Sequence, residues 1–418
     1  MSSTNPRLVV IDQGLRDFTG HFYEYDLAVL GAAAALGVET TLAAHRDFPD
    51  RVLGPAPVVK LFAGTSDDAR RSDARTLVRR TLAHLPQPVR HGLLRIARTA
   101  PGPSARTQPA LPFGRALSLL FDSSRCGERD HILIHTLSES ELSGLAAALA
   151  GRTDLPHLHV VLRYDAQPGF ERALAAVHSD PLLARRCRFW TDTGQLAEHY
   201  RGLGVAEIGV LPIPHCLPDR PDDLIQRSPK PLTLGYLGGA RGDKGFDLLP
   251  SLVEALADDY LATDRIRFRI QSNYGLSLEE QQMARATARL ARFQRCGVEL
   301  IGQALDVSSY QRLLFSSDIV LLPYRADVYR RRSSGILIQA AAAGIPTVVP
   351  KATWLESEAP VGAHVTFGEA VTLAEATRYA IENHGGLDAA ARAATPRVRN
   401  KHDAGRLVRL LLDAAERD

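Results

Sequence analysis

Cysteine is scarce in this 418-residue chain: Cys126, Cys187, Cys216 and Cys296 lie far apart, with no C-x-x-C pair. That excludes a disulfide framework and is poor spacing for zinc, so a reducing cytoplasm is the expected compartment. Excess charge is also lacking. Fifty Lys and Arg against 47 Asp and Glu leave a formal +3, which gives no whole-chain argument for a polyanionic partner such as nucleic acid. No apolar run reaches the length of a membrane span. The opening "MSSTNPRLVVIDQG" has neither the basic start nor the longer apolar region of a signal peptide. Solenoid-period repeats and long low-complexity tracts are missing as well.

What is present is alternation. Short apolar runs, "RLVVID", "HILIH", "LHVVLRY", "IGVLPIP", "LTLGYLG", "IRFRIQS", "VELIG", "DIVLLPY" and "PTVVP", alternate with Ala- and Leu-rich helical patterns from end to end. Strands alternating with helices predict α/β domains with parallel sheets covered on both faces. The length suits two of them. Prolines and charges replace the periodic pattern in "HCLPDRPDDLIQRSPKP", marking a boundary. The expected organisation is an N-terminal domain over 1–216, a linker over 217–230, a C-terminal domain over 231–395 and a terminal helix over 396–418 that packs back on the first domain. "ARTAPGPSARTQPALP", from Ala97, reads as an exposed loop.

Two stretches carry the chemistry. "YLGGARGDKGFDLL", Tyr236 to Leu249, follows a strand-length run and precedes Phe246, Leu249, Leu252, Val253 and Leu256 at helical spacing. It reads as a strand, a glycine turn and a helix start. Gly238 and Gly239 let backbone approach a ligand, helix-terminal amides favour an anion, and Arg241 and Lys244 add full charge. A solvated turn is the alternative. The second stretch, "SSDIVLLPYRADVYRRRSSGILIQAAAAGIPTVVP", reads as a strand, a basic loop, a helix opening at Ser333-Ser334-Gly335 and closing at Gly344, then another strand. Arg330, Arg331 and Arg332 crowd the positive end of that helix. Without an anion there, the placement opposes the helix dipole.

"GYLGGARGDKGFDLLP", "VELIGQALDVSSYQRLLFSSDIVLLPY" and "RSSGILIQAAAAGIPTVV" follow one another as in the C-terminal half of GT-B glycosyltransferases, most closely the retaining group called family 4. "VVIDQGLRDFTGHFYEYDLAVLGAAAALGVE" and "FWTDTGQLAEHYRGLGVAEIGVLPIPH" are similar to the opening and the end of the first domain of those enzymes. The likeness is looser between about Arg51 and Arg125. It implies two Rossmann-like domains facing across a cleft, a nucleoside-diphosphate sugar as co-substrate on the second domain, and a glycan, lipid-linked or small-molecule acceptor entering from the first.

The resemblance also implies roles. Lys244 and Arg241 stabilise the departing diphosphate; the family's arginine commonly stands five before the lysine, where this chain has Gly239. Of the family's two glutamates eight apart, the first position is Arg331 and the second Gln339, whose amide still suits a ribose diol. Arg332, Ser333, Ser334, Gly335 and backbone near Gln303 are expected around the donor. Gly20 matches the glycine turn near the reacting centre, with His21, Tyr23 or Glu24 toward the cleft, His21 a catalytic candidate and Tyr25 an acceptor-side candidate. Arg163 and Asp165, at a strand's carboxyl edge, are acceptor-side candidates or an ordinary ion pair with each other. No Asp-x-Asp element for a divalent ion occurs, so no metal is expected. NAD is not expected either, since "GGARGDKG" departs from G-x-G-x-x-G and no acidic residue ends "IRFRIQSN".

"ARRSDARTLVRRTLAHLPQPVRHGLLRIARTA", Ala69 to Ala100, interleaves Arg with Leu at helical spacing. It reads as a peripheral contact with an anionic membrane at its inner face or as a solvated face. The activity expected is hexosyl transfer in glycoconjugate synthesis. A catalytically silent donor-binding or scaffold protein and a nucleotide-sugar epimerase are the alternatives.

Overall fold

A computed structural model describes residues 6–18, 20–62, 113–124, 126–221, 231–273 and 280–415. The basic stretch 69–100 and residues 222–230 of the expected linker lie outside the described residues.

All nine apolar runs contain strands. The strands are β1 (Arg7–Asp12), β2 (Glu39–His45), β3 (Val52–Leu53), β4 (Ala56–Phe62), β5 (His131–Ile134), β6 (His157–Val161), β7 (Cys187–Thr191), β8 (Ile208–Val210), β9 (Leu232–Tyr236), β10 (Ile266–Gln271), β11 (Val298–Ile301), β12 (Ile319–Leu321), β13 (Thr347–Pro350) and β14 (His364–Phe367). They form two sheets. The first has eight strands in the order β3-β4-β2-β1-β5-β6-β7-β8, and the second six in the order β11-β10-β9-β12-β13-β14. The pairs β1–β5, β2–β4 and β7–β8 are parallel, and every pair of the six-stranded sheet is parallel. Only β3 against β4 runs antiparallel among the registers described. Parallel strands need crossovers, and the helices between them supply these.

By internal contacts the chain divides into Met1–Asp17, Thr40–Leu158 and Ala166–Cys187 as one unit, and Phe18–Glu39, His159–Asp165 and Arg188–Asp418 as the other. In the second unit, one core lies around Tyr236, Phe246, Phe268 and Leu252. Another surrounds the helix Gly335–Ala342. That helix reads GILIQAAA, with every residue after Gly335 buried. A helix apolar on all sides must be enclosed. Its one polar side chain, Gln339, therefore has to find partners inside the protein. The helix Ala404–Ala415 packs against the helix Gly20–Ala35 within the same unit. Among the described residues no helix is long and apolar enough to cross a membrane.

Strand order positions the site. Chain order in the six-stranded sheet runs outward from β9 through β10 to β11, then restarts on the other side with β12. The switch point is therefore between β9 and β12, where doubly wound sheets open a ligand crevice at their carboxyl ends.

Candidate functional site

The glycine-rich stretch leaves β9 at that switch point. Gly238 and Gly245 take φ of 93° and 67°, the left-handed region that side chains rarely adopt. A Cβ on Gly245 would meet the Pro323 carbonyl oxygen at 1.8 Å, and one on Gly238 would meet Lys244 Nζ at 2.6 Å. Glycine here lets the loop close against the exit of β12. Phe246–Leu248 then forms a 3-10 turn and Leu249–Ala255 the helix.

Within the loop, Lys244 Nζ donates to the Gly238 carbonyl at 3.2 Å and lies 5.7 Å from the centre of the Tyr324 ring. Half-buried, it forms no ion pair with a carboxylate among the described residues. Burial, then the Arg241 charge, pulls its pKa down to about 8. Arg241 is different. Its guanidinium takes both oxygens of Asp243, which also accepts from the Tyr329 hydroxyl at 3.3 Å.

The helix Gly335–Ala342 is capped by Ser334, whose side chain accepts from the Leu337 amide. Gly344 follows its end with φ of 67°. The segment ahead of it is anchored residue by residue. Arg331 Nε donates to Asp165 Oδ1 at 2.7 Å, and the Thr193 hydroxyl donates to the Arg331 carbonyl at 2.7 Å. Arg332 stacks its guanidinium 5.0 Å from the Tyr164 ring centre, and Ser333 Oγ donates to Asp192 Oδ2 at 2.7 Å. Two expectations change here. Arg163 does not pair with Asp165: it turns inward, 3.8 Å from Asp192 and 4.3 Å above the Tyr25 ring, because Asp165 is taken by Arg331. The argument that the arginines require a ligand anion is also weakened, since Asp165 and Asp192 bring the chain's own carboxylates to this end of the helix.

Gln339 finds its partners as burial requires. Its Oε1 accepts from the Tyr310 hydroxyl at 2.7 Å, and its Nε2 donates to Glu24 Oε2 at 2.7 Å. Burial raises the Glu24 pKa, and the Gln339 bond partly offsets that. Gly20 opens the helix Gly20–Ala35, and the side chain of His21 lies outside the described residues. Gln303 is exposed just past β11.

Asp192, Tyr164, Tyr310 and Tyr324 escape a reading of the sequence. Each stands just past a strand or inside a helix with no motif of its own. The one available signal is position, since Tyr164, Asp192 and Tyr324 all follow strand ends. A groove of about 1040 Å³ lies elsewhere, lined by Thr233, Arg267, Phe268, Cys296, Val298 and Glu299 among others. It opens at the starting ends of β9, β10 and β11, the edge opposite the glycine loop, and no loop residue lines it.

No protein-family model and no curated protein matches the sequence. Solved structures do match the fold. A glycosyltransferase from Rickettsia africae ESF-5 superposes with a TM-score of 0.63 at 11% identity, covering 99% of this chain and 98% of that one. Trehalose-6-phosphate synthase gives 0.65 at 13% identity, with 99% of each chain covered. HepE from Anabaena, in complex with UDP, gives 0.61 at 14% identity, covering 99% and 100%. The chain has the GT-B fold of these glycosyltransferases.

Proposed function

We propose that the protein is a metal-independent, retaining glycosyltransferase that moves a hexose-type unit from a nucleoside-diphosphate sugar to a glycan, lipid-linked or small-molecule acceptor. The observation that carries this is Lys244. A half-buried ammonium without a carboxylate partner among the described residues stands on a glycine loop at the switch point of a parallel sheet. Such a charge is costly unless an anion joins it. The fold adds weight, because the similar Anabaena protein has been solved with UDP and with UDP-glucose.

In the reaction, the bond from the sugar's anomeric carbon to the diphosphate oxygen breaks, and that oxygen keeps the electron pair. The acceptor hydroxyl oxygen forms the new bond, and its proton passes to the departing phosphate. Negative charge grows on the leaving group, and Lys244 is the group proposed to stabilise it. Arg241 can join by releasing one oxygen of Asp243. Gln339 is the proposed contact to the ribose diol, which it would reach by giving up its bond to Tyr310 or to Glu24. No step in this scheme is assigned to a metal ion.

A donor-binding protein without turnover is the second reading, favoured by the Asp165 bond that ties down Arg331 at the position where the family carries a glutamate. Thermal shift across nucleoside diphosphates and nucleotide sugars, then radiolabelled transfer into an acceptor extract with excess EDTA, separates the two. A hundredfold excess over the dissociation constant should stabilise by about 2.7 kcal/mol. Binding without transfer or donor hydrolysis selects the second reading. Conversion of donor without any acceptor would point to an epimerase, and loss of transfer in EDTA restored by magnesium would remove metal independence.

A further inference from the structure

Several of the cations around the helix Gly335–Ala342 are neutralised by the chain itself. Arg163 faces Asp192, Arg241 holds Asp243, Arg325 holds Asp247 and Arg331 holds Asp165. Lys244, Arg332 and the exposed Arg330 differ, with no carboxylate partner among the described residues. Lys244 has a use in the proposed reaction. Arg332, expected around the donor from the family resemblance, takes no step in that scheme, and it stands half-buried with its Nε shielded and lacking a hydrogen-bond partner.

We propose that Arg332 and Tyr164 form an acceptor subsite that takes a sugar bearing an anionic substituent, a phosphate or a carboxylate. This rests on the glycosyltransferase reading above. Tyr164 is 43% exposed, so the part of its ring that Arg332 does not cover is open to the apolar face of a pyranose. Arg332 stacks on the same residue. A guanidinium in that position keeps its edge donors for a bidentate grip on an oxyanion, which an ammonium could not do while stacked.

The pair is held from several sides. Tyr200 donates its hydroxyl to the Tyr164 carbonyl at 2.7 Å. Asp165, which follows Tyr164, pairs with Arg331, which precedes Arg332, and Ser333 is tied to Asp192. The three bonds fix the register in which residue 164 meets residue 332. Such anchoring of neighbours is what positions an exposed aromatic side chain for recognition. Tyr164 follows β6 of the eight-stranded sheet, whereas Lys244 follows β9 of the six-stranded sheet. Arg332 itself follows β12 of the six-stranded sheet, so it is Tyr164 that brings the eight-stranded sheet to the subsite.

The test titrates glucose 6-phosphate, glucuronate and glucose against the full chain, with and without saturating UDP, by calorimetry and saturation-transfer NMR. At least one anionic sugar should bind about tenfold or more tighter than glucose, and salt should weaken it. Arg332→Ala and Tyr164→Ala should each bring that affinity down toward that of glucose, with Arg332→Lys recovering part, while UDP affinity stays within about twofold. Arg295→Ala, at the distant groove, is the charge control, and circular dichroism confirms folding. Equal affinity for charged and neutral sugars overturns the subsite, as does an equal loss in Arg295→Ala. If Arg332→Ala weakens UDP as much as the sugar phosphate, the residue belongs to the donor and the acceptor assignment is wrong. Failure of the wild type to bind any nucleotide is a separate result: it removes the glycosyltransferase reading, while the sugar titration without UDP still decides the anion site.

Discussion

Gln339 donates its side-chain amide to Glu24 at 2.7 Å, joining the helix Gly335–Ala342 to the helix Gly20–Ala35 inside the protein. Both residues are buried, at 5% and 6% exposure. A neutral amide is what a buried carboxylate can accept as a neighbour, and this accounts for glutamine at the position where the resembled family carries glutamate. Gln339→Glu should therefore set two carboxyls against each other and cost on the order of 3 kcal/mol at neutral pH. Because the paired acids have a raised pKa when folded, the deficit should shrink as pH falls and a proton is shared. Urea midpoints of the two proteins at pH 7.5 and 5 measure this. A constant difference would mean that the carboxylates do not interact.

Gly245 should tolerate no side chain. Alanine there must adopt φ of 67° and place its Cβ 1.8 Å from a backbone oxygen, and backbone cannot rotate away as a side chain could. A loss of roughly 3 kcal/mol or more is expected. Gly302→Ala, where nothing lies within 4 Å, should cost little. Chemical denaturation of both decides it, and equal stability would show that the loop closes differently.

Lys244→Ala should lower turnover by about a hundredfold, on the order of 3 kcal/mol, with a smaller change in donor affinity, because the leaving group gains charge only as the bond breaks. Lys244→Arg should recover part of that, since a planar fork fits poorly where a compact ammonium stood. Steady-state kinetics with donor titration separate the two parameters. A folded Lys244→Ala with unchanged turnover would return the loop to an ordinary solvated turn.

Sequence patterns carry this protein a long way. Runs such as "LTLGYLG" are apolar because strands buried on both faces must be, so β9 and its neighbours are legible without structure. β2, β4, β7 and β14 were not among the nine runs, because "ETTLAAH", "APVVKLF", "CRFWT" and "HVTF" mix polar and small residues and lack the unbroken apolar signal. The glycine loop is legible for a related reason, since left-handed backbone demands a residue type. Side-chain pairing is not. Which carboxylate meets Arg331 or Arg163 depends on three-dimensional neighbours 166 and 29 positions away. Adjacency in sequence suggested Arg163 with Asp165, and competition from Arg331 decided otherwise.

Acid should weaken the first unit through His131. This buried ring stacks 5.2 Å from His157, which faces Arg186 at 2.8 Å. Burial, then the His157 charge, holds its pKa at about 4. The unfolded chain takes up a proton near pH 6.5 that the folded chain refuses until about pH 4. Stability is therefore full above pH 6.5 and falls through that window, by roughly 1–3 kcal/mol from this residue. Urea midpoints at pH 7.5 and 4.5 should fall less in His131→Gln than in the wild type. Identical losses would assign the acid sensitivity elsewhere.

The pH dependence of donor binding follows from Lys244 with the opposite sense. In the free protein its pKa is pulled down to about 8, and only the protonated ammonium attracts a diphosphate. Affinity for UDP should hold steady from pH 6.5 to 7.5 and decline as pH rises through about 8, approaching tenfold per pH unit beyond it if the charged form alone binds. Bound diphosphate favours the charged form, so binding above pH 8 should be accompanied by proton uptake, measurable by calorimetry in buffers of different ionisation enthalpy. Lys244→Arg provides the contrast. A guanidinium stays charged across this range, so that variant should bind with lower affinity but without the alkaline decline. If wild type and Lys244→Arg fall together above pH 8, another group governs the profile. An affinity flat to pH 9.5 in the wild type would show that the diphosphate does not sit on Lys244.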